Sequence, residues 1–206
     1  MIAISVDYRL KDREGVEVPL ACVKDAKSAI RFVRANAERL KVDPERVVVA
    51  GGSAGGQMAA ATAMLTAADT NEVGEDKSVS CVPNAVVLYN PYFRCAAPLS
   101  PPNFVTEGLP PMITFLGDED PAIPVESIEA FTEALRKNRN AAEFYVGVGG
   151  KHGLCNGRNP NNPYFYWSVE LTDRFLVKHK MLEGPATVRR PQGVKVLKGP
   201  TDFVTY

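Results

Sequence analysis

The sequence predicts an α/β protein with a mostly parallel sheet and helices on both faces. Short β-rich runs alternate with helical periods along the chain, and that alternation builds a parallel sheet covered by helices. One run, Val47-Val48-Val49-Ala50, is apolar at consecutive positions, as a central strand buried on both faces is. It leads into Gly51-Gly52-Ser53-Ala54-Gly55-Gly56, a bend between a strand and a helix.

The elements follow in order. Residues 2–7, IAISVD, form a short β-rich run. Val23, Ala26, Ile30, Val33, Ala37 and Leu40 recur at steps of three and four, one face of an amphipathic helix. Asp43-Pro44 is a turn signal. From Ala54 to Ala68 the chain is rich in Ala and Met and almost uncharged, which predicts a buried helix. Ala85–Tyr89 and Met112–Leu116 read as strands, the second followed by a helix with Ile128, Phe131 and Leu135 on one face. Phe144–Val148 is a further strand. Asn162 caps the last long helix, with Pro163 in its first turn. The Pro-rich stretch Cys95–Pro111 has no period and predicts a surface loop or a lid over a site. Residues 1–183 form the core. Residues 184–206 form a basic tail punctuated by Gly and Pro, with one β-like run, Val194–Leu197.

Composition narrows the function. The 206 residues suffice for one domain with a sizeable core. Lys+Arg and Asp+Glu balance at 24 each, so no net field favours nucleic acid or an anionic membrane. Cys22, Cys81, Cys95 and Cys155 form no C-x-x-C pair and read as reduced thiols. No apolar run approaches the ~20 residues that span a bilayer. Residues 1–10 lack the basic start and cleavage site of a signal peptide, and a cytoplasmic location is expected.

Gly51-x-Ser53-x-Gly55 fits G-x-S-x-G between a strand and a helix. A nucleophile on so sharp a turn needs neighbours without side chains, hence the glycines two before and two after it. The turn lifts the hydroxyl above the sheet, and the Ala54 N–H at the helix start can donate to an oxyanion. An idle serine in a Gly-rich turn is the alternative. A phosphate loop would need G-K-[ST] or G-x-G-x-x-G, and neither is present.

A serine nucleophile needs a base, and the base needs an orienting acid. The sequence has two histidines. His152 lies in the flexible loop Gly149–Gly153 just after a strand. His179 sits between two lysines and reads as a solvated helix end. The acid is expected in a loop after an earlier strand, where Asp118, Glu119 and Asp120 follow Phe115-Leu116-Gly117. The chain order is then Ser, Asp, His.

These residues resemble the carboxylesterase/lipase branch of the α/β-hydrolase fold, the branch related to hormone-sensitive lipase and acetyl-xylan esterases. The matching pieces are Val6–Leu10, Lys24-Asp25-Ala26, Val47–Gly56, Pro110–Pro124, Lys151-His152-Gly153 and Asp173–Leu176. The resemblance covers about residues 2–183. It implies Asp120 as the acid, with Asp118 and Glu119 as solvated neighbours. It also implies hydrolysis of small, short-chain acyl esters through an acyl-enzyme on Ser53, with no metal or organic cofactor. Arg9 and Asp25 become candidates for a structural ion pair. Gly52, Tyr92, Phe93 and the 95–111 loop become candidates to line or cover the acyl pocket.

The chain departs from this family at one place. The H-G-G segment that donates most of the oxyanion hole, and the strand before it, have no match in residues 1–206. The fold implied is therefore an α/β-hydrolase core short at its N-terminal side, with a slot between residues 2–7 and 47–50. Residues 2–7 could close it by pairing with 47–50, Val194–Leu197 could fill it, or a second copy could cover it, giving a homo-oligomer. The readings are an active esterase or a catalytically impaired remnant that binds a ligand or partner. A peptidase of the prolyl-oligopeptidase type is weaker, because an amide asks more of an incomplete hole.

Overall fold

A computed structural model describes all of residues 1–206. One sheet holds five strands in spatial order: β1 (Val48–Gly52), β2 (Ala85–Tyr89), β3 (Met112–Gly117), β4 (Ala142–Gly147) and β5 (Phe203–Thr205). The first four run parallel, and β5 pairs antiparallel with β4. The helices are α1 (Lys11–Glu14), α2 (Leu20–Ala35), α3 (Ala37–Leu40), α4 (Ala54–Met64), α5 (Val125–Lys137) and α6 (Pro163–Lys178).

The alternation of strand side chains assigns the helices to faces. Val86, Leu88 and Met112 point to one face, where Ala59, Ala60, Ala63 and Met64 of α4 and Phe131 and Leu135 of α5 cover them. Ala85, Val87, Ile113 and Phe115 point to the other, under Trp167, Phe175 and Leu176 of α6. The expectation of helices on both faces holds. α6 starts as its sequence predicts, with the Asn162 side chain accepting from the Tyr164 N–H at 3.1 Å. The stretch 95–111 is two 3₁₀ turns, Ala97–Leu99 and Pro101–Phe104, and Gln57 Nε2 of α4 donates to the Leu99 carbonyl at 2.7 Å.

α2 forms where its period predicts, but its stripe splits. Val23 and Ile30 are buried, whereas Ala29 and Val33 line an open groove of about 640 Å³ beside Ile4–Arg9. The buried side of α2 instead includes Lys27, only 1% exposed, which donates to the Leu65 carbonyl and to Thr70 Oγ1. Burial pushes the Lys27 pKa down. Arg31 donates to the Val79 carbonyl, Asn71 and Glu75, and Arg34 to the Pro44, Ser80 and Val82 carbonyls. These carbonyls lie on segments without regular structure and need donors from elsewhere. The polar residues of α2 supply them.

Three strand expectations are corrected. Residues 2–7 are extended but pair with nothing, and Ile2, Ile4 and Val6 are 55%, 48% and 43% exposed. An isolated extended run has no ladder to join and is held only at its end. There Arg9 pairs with Asp25 at 2.7 Å and with Glu72 at 2.6 Å, and Cys22 Sγ–H donates to the Arg9 carbonyl. β1 is an edge strand, not a central one, and Ala50 and Gly52 are exposed. Neither closure within the chain occurs. Because this edge faces solvent, its backbone groups escape the penalty of about 1–3 kcal/mol each that burial without partners would impose.

Val194–Leu197 is likewise not a strand. Asp202 turns the chain, accepting from the Lys198 N–H and pairing with Lys195, while its own N–H bonds the Lys198 carbonyl. Only beyond that turn do Phe203–Thr205 reach the free edge of β4. Phe203 packs on Trp167 with ring centroids 4.9 Å apart, so the tail completes the edge opposite β1.

The glycines flanking Ser53 are not equivalent. A Cβ on Gly51 would lie 2.1 Å from the Gly55 carbonyl oxygen, whereas one on Gly55 meets open space. Close approach therefore explains Gly51 but not Gly55, contrary to the sequence reading. Gly51→Ala should lower the melting temperature by roughly 3–10 °C, since overpacking costs about 1–3 kcal/mol. Gly55→Ala should hold it or raise it slightly, because Ala is the better helix former. Thermal melts of the two variants check this. Cys155 is buried, which pushes its thiol up to about 12. In the folded protein it should resist iodoacetamide at pH 8, as mapped by mass spectrometry, and react once the chain is unfolded.

Candidate active site

Three loops at the same end of the parallel strands build the site. β1 ends at Gly52, and Ser53 turns the chain into α4 with φ 55° and ψ −119°. That left-handed backbone is costly for a non-glycine residue, on the order of 1–3 kcal/mol. Hydrogen bonds hold it on both sides. The Ser53 N–H donates to the Tyr89 carbonyl at 2.9 Å, and the Ser53 carbonyl accepts from Gly56, Gln57 and Tyr92 at 3.0–3.2 Å.

The second loop follows β3. Asp120 Oδ1 accepts from the backbone N–H groups of Ala122 and Ile123 at 2.9 and 3.2 Å, so its carboxylate is fixed before it meets another side chain. The third loop follows β4 and carries His152. The two loops cross in contact: a Cβ on Gly117 would lie 2.0 Å from the Gly150 oxygen, so only glycine fits there. Backbone bonds lace them, Asp118 N–H to the Gly147 carbonyl and Glu119 N–H to the Gly150 carbonyl. Asp118 also accepts from the Gly149 N–H at 2.6 Å through its side chain. It is thus a fastener of the histidine loop rather than a mere solvated neighbour. Glu119 is exposed, as expected.

The side chains meet in a line. His152 Nδ1–H donates to Asp120 Oδ2 at 2.7 Å, and Ser53 Oγ–H donates to His152 Nε2 at 2.9 Å. The Asp120 side chain is fully buried, while that of His152 is 35% exposed. A buried carboxylate on Nδ1 fixes the tautomer and leaves Nε2 free to accept a proton. Ala54 is the first residue of α4, so its N–H has no acceptor within the helix. The arrangement can deprotonate a hydroxyl and offer it, beside a helix N-terminus, to an electrophile.

The other candidates fall around this line. Gly52 is exposed beside Ser53. Tyr92, tied to the elbow through its N–H, and Phe93 pack on the cluster of Leu116, Ile123 and Val146. Phe93 also meets Phe131 edge-on at 5.0 Å. His179 is the C-cap of α6, away from this line. It is not the solvated helix end expected: it packs on Phe175 at 4.5 Å, its Nε2 is buried without a partner, and burial lowers its pKa. Sequence reasoning missed Asn90, whose Nδ2 lies 3.3 Å from His152 Nε2. Its one signal is its place, the residue after a strand in Tyr89-Asn90-Pro91-Tyr92. No helix of the chain is long and apolar enough to cross a membrane.

Comparison with known proteins gives concordant results. The family model BD-FAE matches residues 1–92. Among curated proteins, Esterase LipC of Mycobacterium tuberculosis is 29% identical over 191 residues, 74% of this chain and 45% of LipC. Carboxylesterase NlhH of the same species is 44% identical over 64 residues, 31% of this chain and 19% of NlhH. The chain thus spans less than half the length of these curated relatives. Among solved structures, Thermogutta terrifontis esterase 2 phosphorylated by paraoxon superposes with a TM-score of 0.81 at 39% identity, covering 86% of this chain and 70% of that one. Its propionate-bound form gives the same TM-score at 37% identity, covering 86% and 72%. With that identity carried across more than two thirds of a solved esterase on the same fold, the chain belongs to the α/β-hydrolase esterase/lipase family.

Proposed function

We propose that this protein is a serine carboxylesterase acting on small esters with short acyl chains. The observation that carries the reading is the unbroken line from Ser53 Oγ through the His152 ring to the buried Asp120 carboxylate, at 2.9 and 2.7 Å. In this reading Ser53 Oγ attacks the ester carbonyl as His152 Nε2 takes its proton. Asp120 stabilises the resulting imidazolium without becoming protonated. The oxyanion draws on the Ala54 N–H and the N-terminus of α4. His152 then returns the proton to the departing alcohol, and water attacks the acyl-enzyme by the same route. Gly52 and Tyr92 beside the elbow, with Phe93 behind them, meet the acyl group. The short-chain preference is supported by the propionate- and butyrate-bound forms of the Thermogutta esterase.

Ala54 is the one oxyanion donor this reading assigns, and each missing donor costs roughly 10²–10³ in rate. Residues 1–206 alone should therefore turn over activated short-chain aryl esters slowly and long-chain triglycerides hardly at all. Ser53→Ala, Asp120→Asn and His152→Ala should each lower p-nitrophenyl acetate hydrolysis by about two orders of magnitude or more, while His179→Ala should not. Paraoxon should leave one diethylphosphoryl group on the wild type by intact mass and none on Ser53→Ala. A wild type that neither turns over nor is labelled would favour the second reading, a binding protein on an esterase scaffold.

We also propose that the protein assembles as a homo-oligomer. The open β1 edge is an unpaired strand edge of the kind that second copies cover, and Ile2, Ile4 and Val6 add exposed apolar surface. Light scattering across a wide dilution range should find a dimer or larger. A monodisperse monomer at every concentration would overturn this.

A further inference from the structure

We propose that Asn90 is a positioning residue for His152, its side-chain amide holding the imidazole neutral at Nε2 for the serine. The inference rests on the esterase reading above for its purpose, though not for its geometry. Asn90 follows β2, the strand between the one that delivers Ser53 and the one that leads to Asp120. It is only 3% exposed, and its Nδ2 lies 3.3 Å from His152 Nε2, the atom that Ser53 Oγ also reaches.

The chemistry fixes which way the amide faces. Asp120 takes the Nδ1–H of the neutral ring, so Nε2 carries a lone pair and asks for donors. Were Asn90 Oδ1 turned to the ring instead, Nε2 would have to hold the proton. Nδ1 would then face Asp120 Oδ2 at 2.7 Å as one acceptor against another. So the Asn90 N–H donates to Nε2, beside the Ser53 hydroxyl. A donor on that lone pair favours the unprotonated base and restrains the ring's tilt.

The backbone makes the position rigid. Asn90 has φ 39°, a left-handed conformation that Asn tolerates better than most residues. Its N–H donates to the Phe115 carbonyl at 2.7 Å. On the next residue, Pro91 sits where a Cβ on Gly56 would come within 2.8 Å of it. An asparagine kept only for its φ would show the same backbone, and the test has to separate the two roles.

The other groups around the ring are accounted for. Asp120, on the loop after β3, bonds Nδ1. On the ring's own loop, Lys151 is exposed, and Asp118 is bound to the Gly149 N–H. Glu119 is exposed, and Ser53 and Asn90, from β1 and β2, carry no charge.

Asn90→Gly keeps the left-handed backbone and removes the amide. Asn90→Asp keeps the shape and puts a carboxylate at Nε2. With two histidines in the sequence, the ring protons can be followed by NMR from pH 4 to 9, and His179 serves as internal reference. The expected result is that the His152 titration midpoint rises by roughly half to one unit in Asn90→Gly, the equivalent of one ordinary hydrogen bond. It should rise further in Asn90→Asp, where the carboxylate favours the imidazolium, while His179 stays fixed. The acid limb of the pH–rate profile should move with it. A His152 midpoint unchanged in folded Asn90→Gly would overturn the proposal and leave Asn90 a conformational residue only. Should Asn90→Gly not fold, Asn90→Ala, which also removes the amide without adding charge, takes its place. The titration needs no turnover, so it reads the positioning role even if the esterase reading fails.

Discussion

Every distance in the candidate site depends on the register of the parallel ladder from β1 to β4. Gly52 stands opposite Tyr89, Tyr89 opposite Phe115, and Phe115 opposite Tyr145. β1 and β2 therefore end at one level, and β3 and β4 end together two residues further on. The ladder continues past their ends: the N–H groups of Ser53, Asn90 and Asp118 bond the Tyr89, Phe115 and Gly147 carbonyls of the neighbouring strands. Those bonds fix the backbones from which the hydroxyl, the amide and the acid loop project. Proton transfer needs heavy atoms within about 3 Å of each other, and a slip of one residue would move each strand by about 3.3 Å. The two covered faces resist that slip, because it would exchange the side chains fitted under α4 and α5 for those fitted under α6.

Close backbone approach does the rest of the positioning. The Asp120 and His152 loops touch at Gly117 and Gly150, and β1 touches α4 at Gly51 and Gly55. Contacts that tight leave a loop little room to wander. They explain how an exposed histidine can hold one orientation between a buried carboxylate and a strained serine. Asp118 adds a side-chain bond across the same crossing. The strain at Ser53 is sustained by four backbone bonds to its N–H and carbonyl, three of them to strand β2's end or the first turn of α4, so the geometry of Ser53 is tied to the packing of both.

β1 is at once the strand that leads into Ser53 and the open edge of the sheet. Support reaches it from β2 and α4 but not from its free side. α2, by contrast, buries cations rather than its full apolar stripe. One side of the helix meets irregular segments that need hydrogen-bond donors, and the other faces the groove. At the opposite edge the three residues of β5 pair with β4, so the sheet ends there in a short antiparallel strand.

The sequence by itself determined the elements with strong local signals. The period in α5, the Asn162-Pro163 start of α6, the apolar runs of β2 and β3, and the strand–Gly–Ser–helix bend are all set by neighbouring residues. That Ser53, Asp120 and His152 meet was legible because each sits beyond a strand end, in the chain order Ser, Asp, His. Tertiary structure decided what depends on partners distant in the chain. A β-rich run becomes a strand only if an edge awaits it, so residues 2–7 and 194–197 did not pair, while Phe203–Thr205, with no stronger pattern, did. An apolar strand is central only if both neighbours exist, so β1 became an edge. Gly51 and Gly55 look alike in a motif and differ only in what stands opposite them. Asn90 and Asp118 carry no local mark of function. The fold sets one beside the His152 ring and the other against its loop, and no spacing along the chain encodes that meeting.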